Sequence, residues 1–188
     1  MTQLFEVSRS LTVASPFEAV PHPRIPRILR RMPPVSGNPI RVEFVRGLRD
    51  IRGPVHGGSF LRERRIALDC TRAEFPRIFV HEAGHFIWLR LGNSRRLAYE
   101  ALLRVEIAQK ARGELGWSAE WRKNALSAQD PADRSRLWRE YCSESFCDTA
   151  AWLYSGVSRH PEFTLATRWR NRRKLWFAST LGGRTLRI

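Results

Sequence analysis

Proline is concentrated in one stretch of this chain and limits what that stretch can form. Of the 11 prolines in 188 residues, seven lie between Pro16 and Pro39. Proline has no backbone N–H and fixes φ, so the stretch predicts neither a helix nor a central strand. We therefore expect residues 1–38 to form an extended or partly ordered, proline-rich N-terminal arm, and the folded domain to begin near Ile40.

The residues after the arm predict two strands followed by four helices. Apolar and polar residues alternate in Ile40–Gly47 and again in Arg64–Asp69, which is the period of a half-buried strand. From Glu74 onward the spacing of apolar residues is helical. The predicted helices span about residues 74–91, 95–112, 118–128 and 131–154. This order indicates an α+β domain over residues 39–156, with a small sheet first and a mainly helical part after it.

The segment Phe79–Ile87, with the sequence FVHEAGHFI, carries the clearest chemical signal. On a helix, His81 and His85 share one face, so both imidazoles can bind one metal ion. Zn²⁺ accepts nitrogen ligands of this kind readily. Glu82 projects beside the two histidines and can take a proton from a water molecule at the metal. The pattern predicts one zinc ion per chain, with Glu82 as the general base.

A catalytic zinc site needs a third protein ligand and an open position. The extended pattern HExxHxxGxxH is excluded, because Trp88 and Leu91 stand where its glycine and third histidine would be. The last predicted helix offers three carboxylates four residues apart, Glu140, Glu144 and Asp148. We favour Glu144 because small apolar residues follow it, and Glu140, nearer the charged start of the helix, stays an alternative ligand. Asp148, one turn further on, can accept a hydrogen bond from a ligand imidazole.

The two motifs together resemble the gluzincins, zinc peptidases that combine HExxH with a downstream glutamate ligand. The order of strand, HExxH helix, further helices and glutamate helix is similar to that of small cytoplasmic ImmA/IrrE-type metallopeptidases, over roughly residues 40–155. In those proteins the glutamate opens a pattern of the kind E-x-x-A-[DN]-x-F-A. The corresponding residues here are Glu144, Cys147, Asp148, Ala150 and Ala151, with Cys and Ala departing from the usual Ala and Phe.

The resemblance implies a zincin-like fold, in which an edge strand of the small sheet packs on the HExxH helix. It implies that Arg64–Asp69 is this edge strand, against which a peptide substrate could lie. It also implies zinc-dependent hydrolysis of peptide bonds. The residue roles that it implies are zinc ligation by His81, His85 and Glu144, general base catalysis by Glu82, and support of a ligand imidazole by Asp148.

Peptide hydrolysis also needs a hydrogen-bond donor for the tetrahedral oxyanion. The candidates in this sequence are Tyr99, Tyr141, Tyr154 and His160. We select His160 as a catalytic residue because it follows the glutamate helix, in the loop at residues 156–161, and can reach over the site.

The chain has a formal net charge of +15, and 30 of its 33 basic residues are arginine. This excess allows an acidic partner or a nucleic acid without requiring one. Thr167–Phe177 interleaves five cations with aromatic rings, which are the ingredients of nucleic-acid binding. One alternative function is therefore a non-proteolytic, zinc-containing binding protein that associates with nucleic acid. Another is a peptidase that acts on a nucleic-acid-bound regulator, since relatives of the resembled type cut transcriptional repressors.

The same C-terminal segment has a purely structural interpretation. We expect residues 157–188 to form a basic, mainly helical segment packed on the domain. In that arrangement Trp169, Trp176 and Phe177 face the core and the arginines face water.

The remaining composition favours a cytoplasmic protein. Cys70, Cys142 and Cys147 form no CxxC pair, which excludes a disulfide framework and a zinc ribbon and favours a reducing compartment. No run approaches the roughly 18 apolar residues of a membrane span. The N-terminal residues lack the basic and apolar regions of a secretory signal.

Overall fold

The computed structural model describes the backbone of residues 4–8 and 11–14, and residues 25–188 in full. The strands are β1 (Leu4–Ser8), β2 (Leu11–Ala14), β3 (Val35–Ser36), β4 (Ile40–Phe44), β5 (Arg49–Asp50), β6 (Gly53–Pro54), β7 (Gly57–Phe60), β8 (Arg65–Leu68) and β9 (Leu186–Arg187). The helices are α1 (Ile25–Leu29), α2 (Phe75–Arg90), α3 (Asn93–Ala108), α4 (Trp117–Asn124), α5 (Asp130–Asp133), α6 (Arg136–Tyr154) and α7 (Thr167–Leu181). The expectation of a mixed α+β fold is confirmed.

Five strands form the main sheet, in the order β1-β2-β4-β8-β7. Strands β2, β4 and β8 run parallel, whereas β7 is antiparallel to β8. Arg65 of β8 is paired with Arg41 on one side and with Phe60 on the other. The expectation that Arg64–Asp69 is the edge strand is therefore wrong, and among the described strands the edge beside the helices is β7.

The residues of β8 and β7 explain why β8 is an inner strand and β7 is the edge. Ile66, Ala67 and Leu68 are all buried, and such a continuous apolar run is typical of an inner strand. Strand β7 reads Gly-Gly-Ser-Phe, which has neither alternation nor β-branched residues. It becomes a strand because its backbone pairs with β8 and packs on α2.

Part of the predicted N-terminal arm belongs to the folded domain. Ile25 and Ile28 of α1 are buried in the core, as are Met32 and Val35 after it. Pro26 is tolerated because it lies in the first turn of α1, where a missing N–H costs no helical hydrogen bond. Strand β3 pairs with β9 near the end of the chain. Of the proline-rich stretch, residues 15–24 lie outside the described residues.

The predicted helices are present, with one interruption. The long helix expected over residues 131–154 divides into α5 and α6, because Arg134 adopts the left-handed conformation with φ of 49°. Ser135 then caps α6, its Oγ accepting a hydrogen bond from the Trp138 N–H at 3.1 Å. In the C-terminal segment, Trp169 and Phe177 of α7 are buried. One arginine departs from the expected pattern, because Arg173 is also fully buried.

Arg173 is the centre of an ionic cluster that holds α7 against the rest of the helical part. Its guanidinium donates to Glu106 at 2.6 Å and to Glu114 at 2.7 Å. Glu114 also accepts a hydrogen bond from Tyr141 at 2.7 Å and pairs with Lys123 at 3.1 Å. We refer to these five residues as the Arg173 cluster. It joins α3, α4, α6 and α7 to the segment before α4. None of the helices in the described part of the chain has the length and apolarity that crossing a membrane requires.

Candidate active site

Helix α2 carries the HEAGH segment and lies directly against α6. A Cβ atom at Gly84 would stand 3.1 Å from the Cys147 Sγ and 3.2 Å from its Cα, so the missing side chain permits this close approach. The two helices cross at the motif itself. Because Glu144 precedes Cys147 by nearly one turn, it is placed beside His81 and His85.

The three predicted ligands converge in the structure. The Oε2 atom of Glu144 lies 3.2 Å from the Nε2 of His81 and 3.9 Å from the Nε2 of His85. One ligand atom from each residue can be chosen so that all lie within 4.8 Å of one another. Tetrahedral bonds of about 2.0–2.1 Å separate neighbouring ligand atoms by roughly 3.3 Å. The donor set and its spacing therefore fit a zinc ion.

Asp148 fixes the orientation of one of these imidazoles. Its Oδ1 accepts a hydrogen bond from the Nδ1 of His81 at 2.7 Å, so Nε2, the nitrogen that faces Glu144, is the one placed to act as a ligand. Its Oδ2 accepts a hydrogen bond from the Ala119 N–H at 3.2 Å, near the start of α4. A Cβ atom at Gly116 would overlap the Asp148 carboxylate, so glycine is required where α4 begins.

The charges of the site shift two pKa values. Burial alone lowers the pKa of His81, but the charge and hydrogen bond of Asp148, with the hydrogen bond to Glu144, raise it well above the ordinary value. Burial raises the pKa of Glu144, yet the hydrogen bond of His81 and the positive charges of His85, His81 and Arg122 hold it far below the ordinary value. The Glu144 carboxylate is therefore ionised, as a ligand to a cation must be.

Glu82, on α2, is held against the edge strand β7. The Ser59 hydroxyl lies 2.6 Å from the Glu82 Oε2 and 2.8 Å from the Glu82 backbone oxygen. A Cβ atom at Gly57 would stand 2.7 Å from the Glu82 Oε1. Neither contact could be predicted from the sequence, because no local pattern predicts strand β7.

The site opens into a cleft of about 860 Å³. Strand β7 and the β5–β6 hairpin form one wall, and α4 forms the other. Of the four arginines in its lining, Arg49 and Arg52 are exposed at the rim, and the Arg52 guanidinium lies 3.7 Å from the centre of the Trp121 ring. Trp117, also in the lining, is 66% exposed.

The other predicted candidates lie elsewhere. Glu140 pairs with Arg136 at 2.7 Å on an exposed part of α6, apart from the three converging ligands. His160 donates to Glu74 at 3.2 Å and accepts a hydrogen bond from the Glu162 N–H at 3.2 Å, so both ring nitrogens have partners. It is not among the described residues that line the cleft, and its catalytic role stays a prediction.

The three tyrosine candidates are also outside the described lining of the cleft. Tyr99 is buried and bonded to Ser145 and Thr149, and Tyr141 is buried and donates to Glu114. Tyr154 packs on the Phe177 ring, with a centroid distance of 6.3 Å.

Two residues that the sequence did not indicate contact Glu144 from α4. The Ser118 hydroxyl donates a hydrogen bond to Glu144 Oε2, and the Arg122 Nη2 lies 3.3 Å from Glu144 Oε1. No motif precedes them, and only the packing of α4 on α6 brings them to the site.

The aromatic rings of the C-terminal segment are packed against the domain. Trp169 and Phe177 are buried, and Trp176 lies against Tyr99 at a centroid distance of 4.8 Å. The buried rings of Trp169 and Phe177 are not free to stack on bases, whereas Trp176 is partly buried.

The chain matches no protein-family model, no curated protein and no solved structure. The class of site is therefore defined by its own geometry. Two imidazoles and a carboxylate converge in a cleft. A second carboxylate lies behind one imidazole, and a third, that of Glu82 on α2, is hydrogen-bonded to Ser59 of the edge strand.

Proposed function

We propose that this chain is a zinc-dependent metallopeptidase. The observation that carries the proposal is the convergence of His81, His85 and Glu144 in one cleft, with Glu82 beside them. The Asp148 contact to His81 supports it further, because a carboxylate behind a ligand histidine is a recurring feature of zinc sites.

Zinc would be held by His81, His85 and Glu144. When bound, it supplies a Lewis acid that polarises a carbonyl and makes water easier to deprotonate. Two imidazoles and one carboxylate leave a position open, which distinguishes a catalytic set from a closed structural one.

Glu82 would act as the general base. Its carboxylate takes a proton from the attacking water and returns it to the leaving amine. The Ser59 hydroxyl, 2.6 Å from Oε2, keeps the carboxylate at the cleft rather than turned toward solvent. Such positioning matters because proton transfer requires hydrogen-bond reach.

Strand β7 would bind the substrate backbone. All four residues of Gly57–Phe60 line the cleft, and among the described strands β7 pairs only with β8. An open edge offers backbone N–H and C=O groups to an extended peptide. A substrate laid along it would run past Glu82 and the metal ligands.

The first experiment tests the metal and the base separately. We expect wild-type protein to contain about one zinc per chain and Glu144→Ala to lose it, because two imidazoles alone make an incomplete site. Glu140→Ala is the matched control and should retain zinc, because its carboxylate pairs with Arg136 instead. Elemental analysis of purified protein measures all three.

For the base, we expect Glu82→Gln to retain zinc and to lose about 10²–10⁴-fold in peptide hydrolysis. The assay follows new termini in unfolded casein by mass spectrometry. If Glu82→Gln hydrolysed casein as fast as wild type, this mechanism would be excluded. Zinc-loaded wild type that cleaves nothing would contradict the peptidase proposal.

A further inference from the structure

Arg122 lies in the α4 wall of the cleft with a guanidinium that the chain itself only partly satisfies. Its side chain is 15% exposed. Nη1 donates to the Ser118 backbone oxygen at 2.7 Å and to the Ser118 hydroxyl at 3.3 Å. Nη2 is paired with Glu144 Oε1 at 3.3 Å by charge, without the alignment of a hydrogen bond. Nε is buried and has no hydrogen-bond partner among the described residues.

A guanidinium carries five N–H donors in a rigid fork. The two contacts to Ser118 account for the donors on Nη1. In the described part of the chain, Nε has no acceptor and Nη2 has only the ion-paired Glu144 Oε1. Buried donors without acceptors are uncommon and costly, and a functional role is one reason for them. Nη2, beside Glu144, is the donor placed to meet an oxygen atom that arrives with a ligand.

The position of Arg122 relative to the site indicates which oxygen this is. Glu144 directs Oε2 toward His81 and Oε1 toward Arg122, so the guanidinium lies immediately beside the metal ligands. Glu82, in contrast, is held by Ser59 on the β7 wall. A peptide carbonyl in the cleft would therefore have the base on one wall and a fixed cation on the other.

We propose that Arg122 is a catalytic residue that donates hydrogen bonds to the oxyanion formed on the scissile carbonyl. The inference rests on the proposed peptidase function. In this step the water oxygen bonds to the carbonyl carbon, its proton passes to Glu82, and the carbonyl π pair moves onto oxygen. Arg122 stabilises that charge. The C–N bond then breaks, the carbonyl re-forms, and Glu82 returns the proton to the amine.

A purely structural role would be different. Arg122 could serve only to orient Glu144, and its loss would then weaken zinc and every ligand of the zinc together. A role toward the oxyanion is selective, because it affects tetrahedral anions and the turnover rate more than the metal itself.

The test measures zinc affinity and ligand binding as well as activity. The probes are methylphosphonate, a small tetrahedral anion, and imidazole, a neutral ligand of the metal, each titrated calorimetrically into zinc-loaded protein. We expect Arg122→Gln to bind methylphosphonate at least about tenfold more weakly, with imidazole and zinc affinities changed less than about threefold. In casein hydrolysis we expect kcat to fall about 10²–10³-fold with little change in KM.

Two further variants complete the experiment. Arg122→Lys is a more conservative change that keeps the positive charge. Compared with Arg122→Gln, it should recover part of the methylphosphonate affinity and part of kcat. Arg49→Gln removes one positive charge from the rim of the same cleft and should weaken methylphosphonate binding and lower kcat much less than Arg122→Gln does.

The outcomes separate this inference from the proposed function. If Arg122→Gln lost affinity for zinc, imidazole and methylphosphonate equally, the inference would be overturned, because Arg122 would then act only by orienting Glu144. If Arg49→Gln lost as much methylphosphonate affinity as Arg122→Gln, the inference would be overturned, because the overall positive charge of the cleft would then explain the binding. If wild type and Arg122→Gln hydrolysed casein at the same rate, the role of Arg122 would be overturned and the peptidase function would stand. A zinc-loaded wild type without hydrolysis would overturn both.

Discussion

Two clusters of buried charges share helix α6 and differ in how completely they are satisfied. In the Arg173 cluster, the guanidinium donates from Nε, Nη1 and Nη2 to Glu106, Glu114 and Thr149. In the cleft, Arg122 donates hydrogen bonds to Ser118 alone among the described residues. The first guanidinium is completely buried, and the second borders an open cleft.

The difference shows how structural and functional charge can be distinguished in one fold. A cluster whose donors and acceptors are matched within the chain needs no ligand. Removing one member leaves a buried charge without its partner, which destabilises the folded state. A cluster with open donors and converging acceptors beside a cleft is incomplete until a ligand arrives. A substitution confined to one cluster should therefore leave the other intact.

The largest expected effect is on stability, from Arg173→Met. Glu106 and Glu114 would then be buried without their shared cation, and breaking a buried ion pair in this way costs about 3–5 kcal/mol. Urea unfolding followed by circular dichroism measures the loss. Arg172→Met, an exposed neighbour on the same helix, is the control and should unfold at nearly the wild-type urea concentration.

The zinc content of the same variant sharpens the comparison. Where Arg173→Met is folded, it should still bind zinc with the wild-type stoichiometry, because none of its contacts reaches His81, His85 or Glu144. Loss of zinc from the folded variant would show that the two clusters are coupled through α6.

The next effect is a loss of stability in acid. Burial raises the pKa of Glu114, but Arg173, Lys123 and Tyr141 together lower it from 4.5 to about 2. A depressed pKa stabilises the folded state above pH 4.5, and this stabilisation is lost as the pH falls from 4.5 toward 2. The shift corresponds to about 3 kcal/mol.

Glu114→Gln tests this assignment. The variant should be less stable at pH 7, and its free energy of unfolding should fall less between pH 5 and pH 2.5 than that of the wild type. Both proteins are compared without zinc, so that loss of metal does not contribute. Glu63→Gln, on the surface, should follow the wild-type curve. Equal acid sensitivity in Glu114→Gln and wild type would assign the effect to other carboxylates, of which Glu144 is one with a lowered pKa.

The sequence predicted those parts of the fold and site that local periodicity determines. Helix α2 and its two histidines follow from apolar spacing and from the four-residue repeat. The small apolar residues after Glu144 favoured it over Glu140, but Glu140 stayed an alternative because both lie on one face of a helix. The close contact of Gly84 with Cys147 decides which of them meets the histidines.

Other features depended on tertiary packing that no local pattern records. Strand β7 forms from a glycine-rich segment because β8 offers it a partner. His160 lies in a loop after α6 as predicted, but its ring is hydrogen-bonded to Glu74 instead of facing the cleft. Arg122 gave no signal among 30 arginines, and its position depends on how α4 packs on α6.

The smallest of these effects concerns the support of one ligand, in Asp148→Asn. The asparagine keeps an oxygen for one partner but loses the charge and places an NH₂ group where the carboxylate now serves His81 or the Ala119 N–H. Losing such a partner of a ligand histidine costs about 10–100-fold in metal affinity. Competition with a chelator of known zinc affinity, at fixed pH, measures the change. Asp133→Asn, at the exposed end of α5, should leave the affinity unaltered. Unchanged zinc affinity in Asp148→Asn would mean that Asp148 serves mainly to begin α4, and would place it with the structural charges rather than with the site.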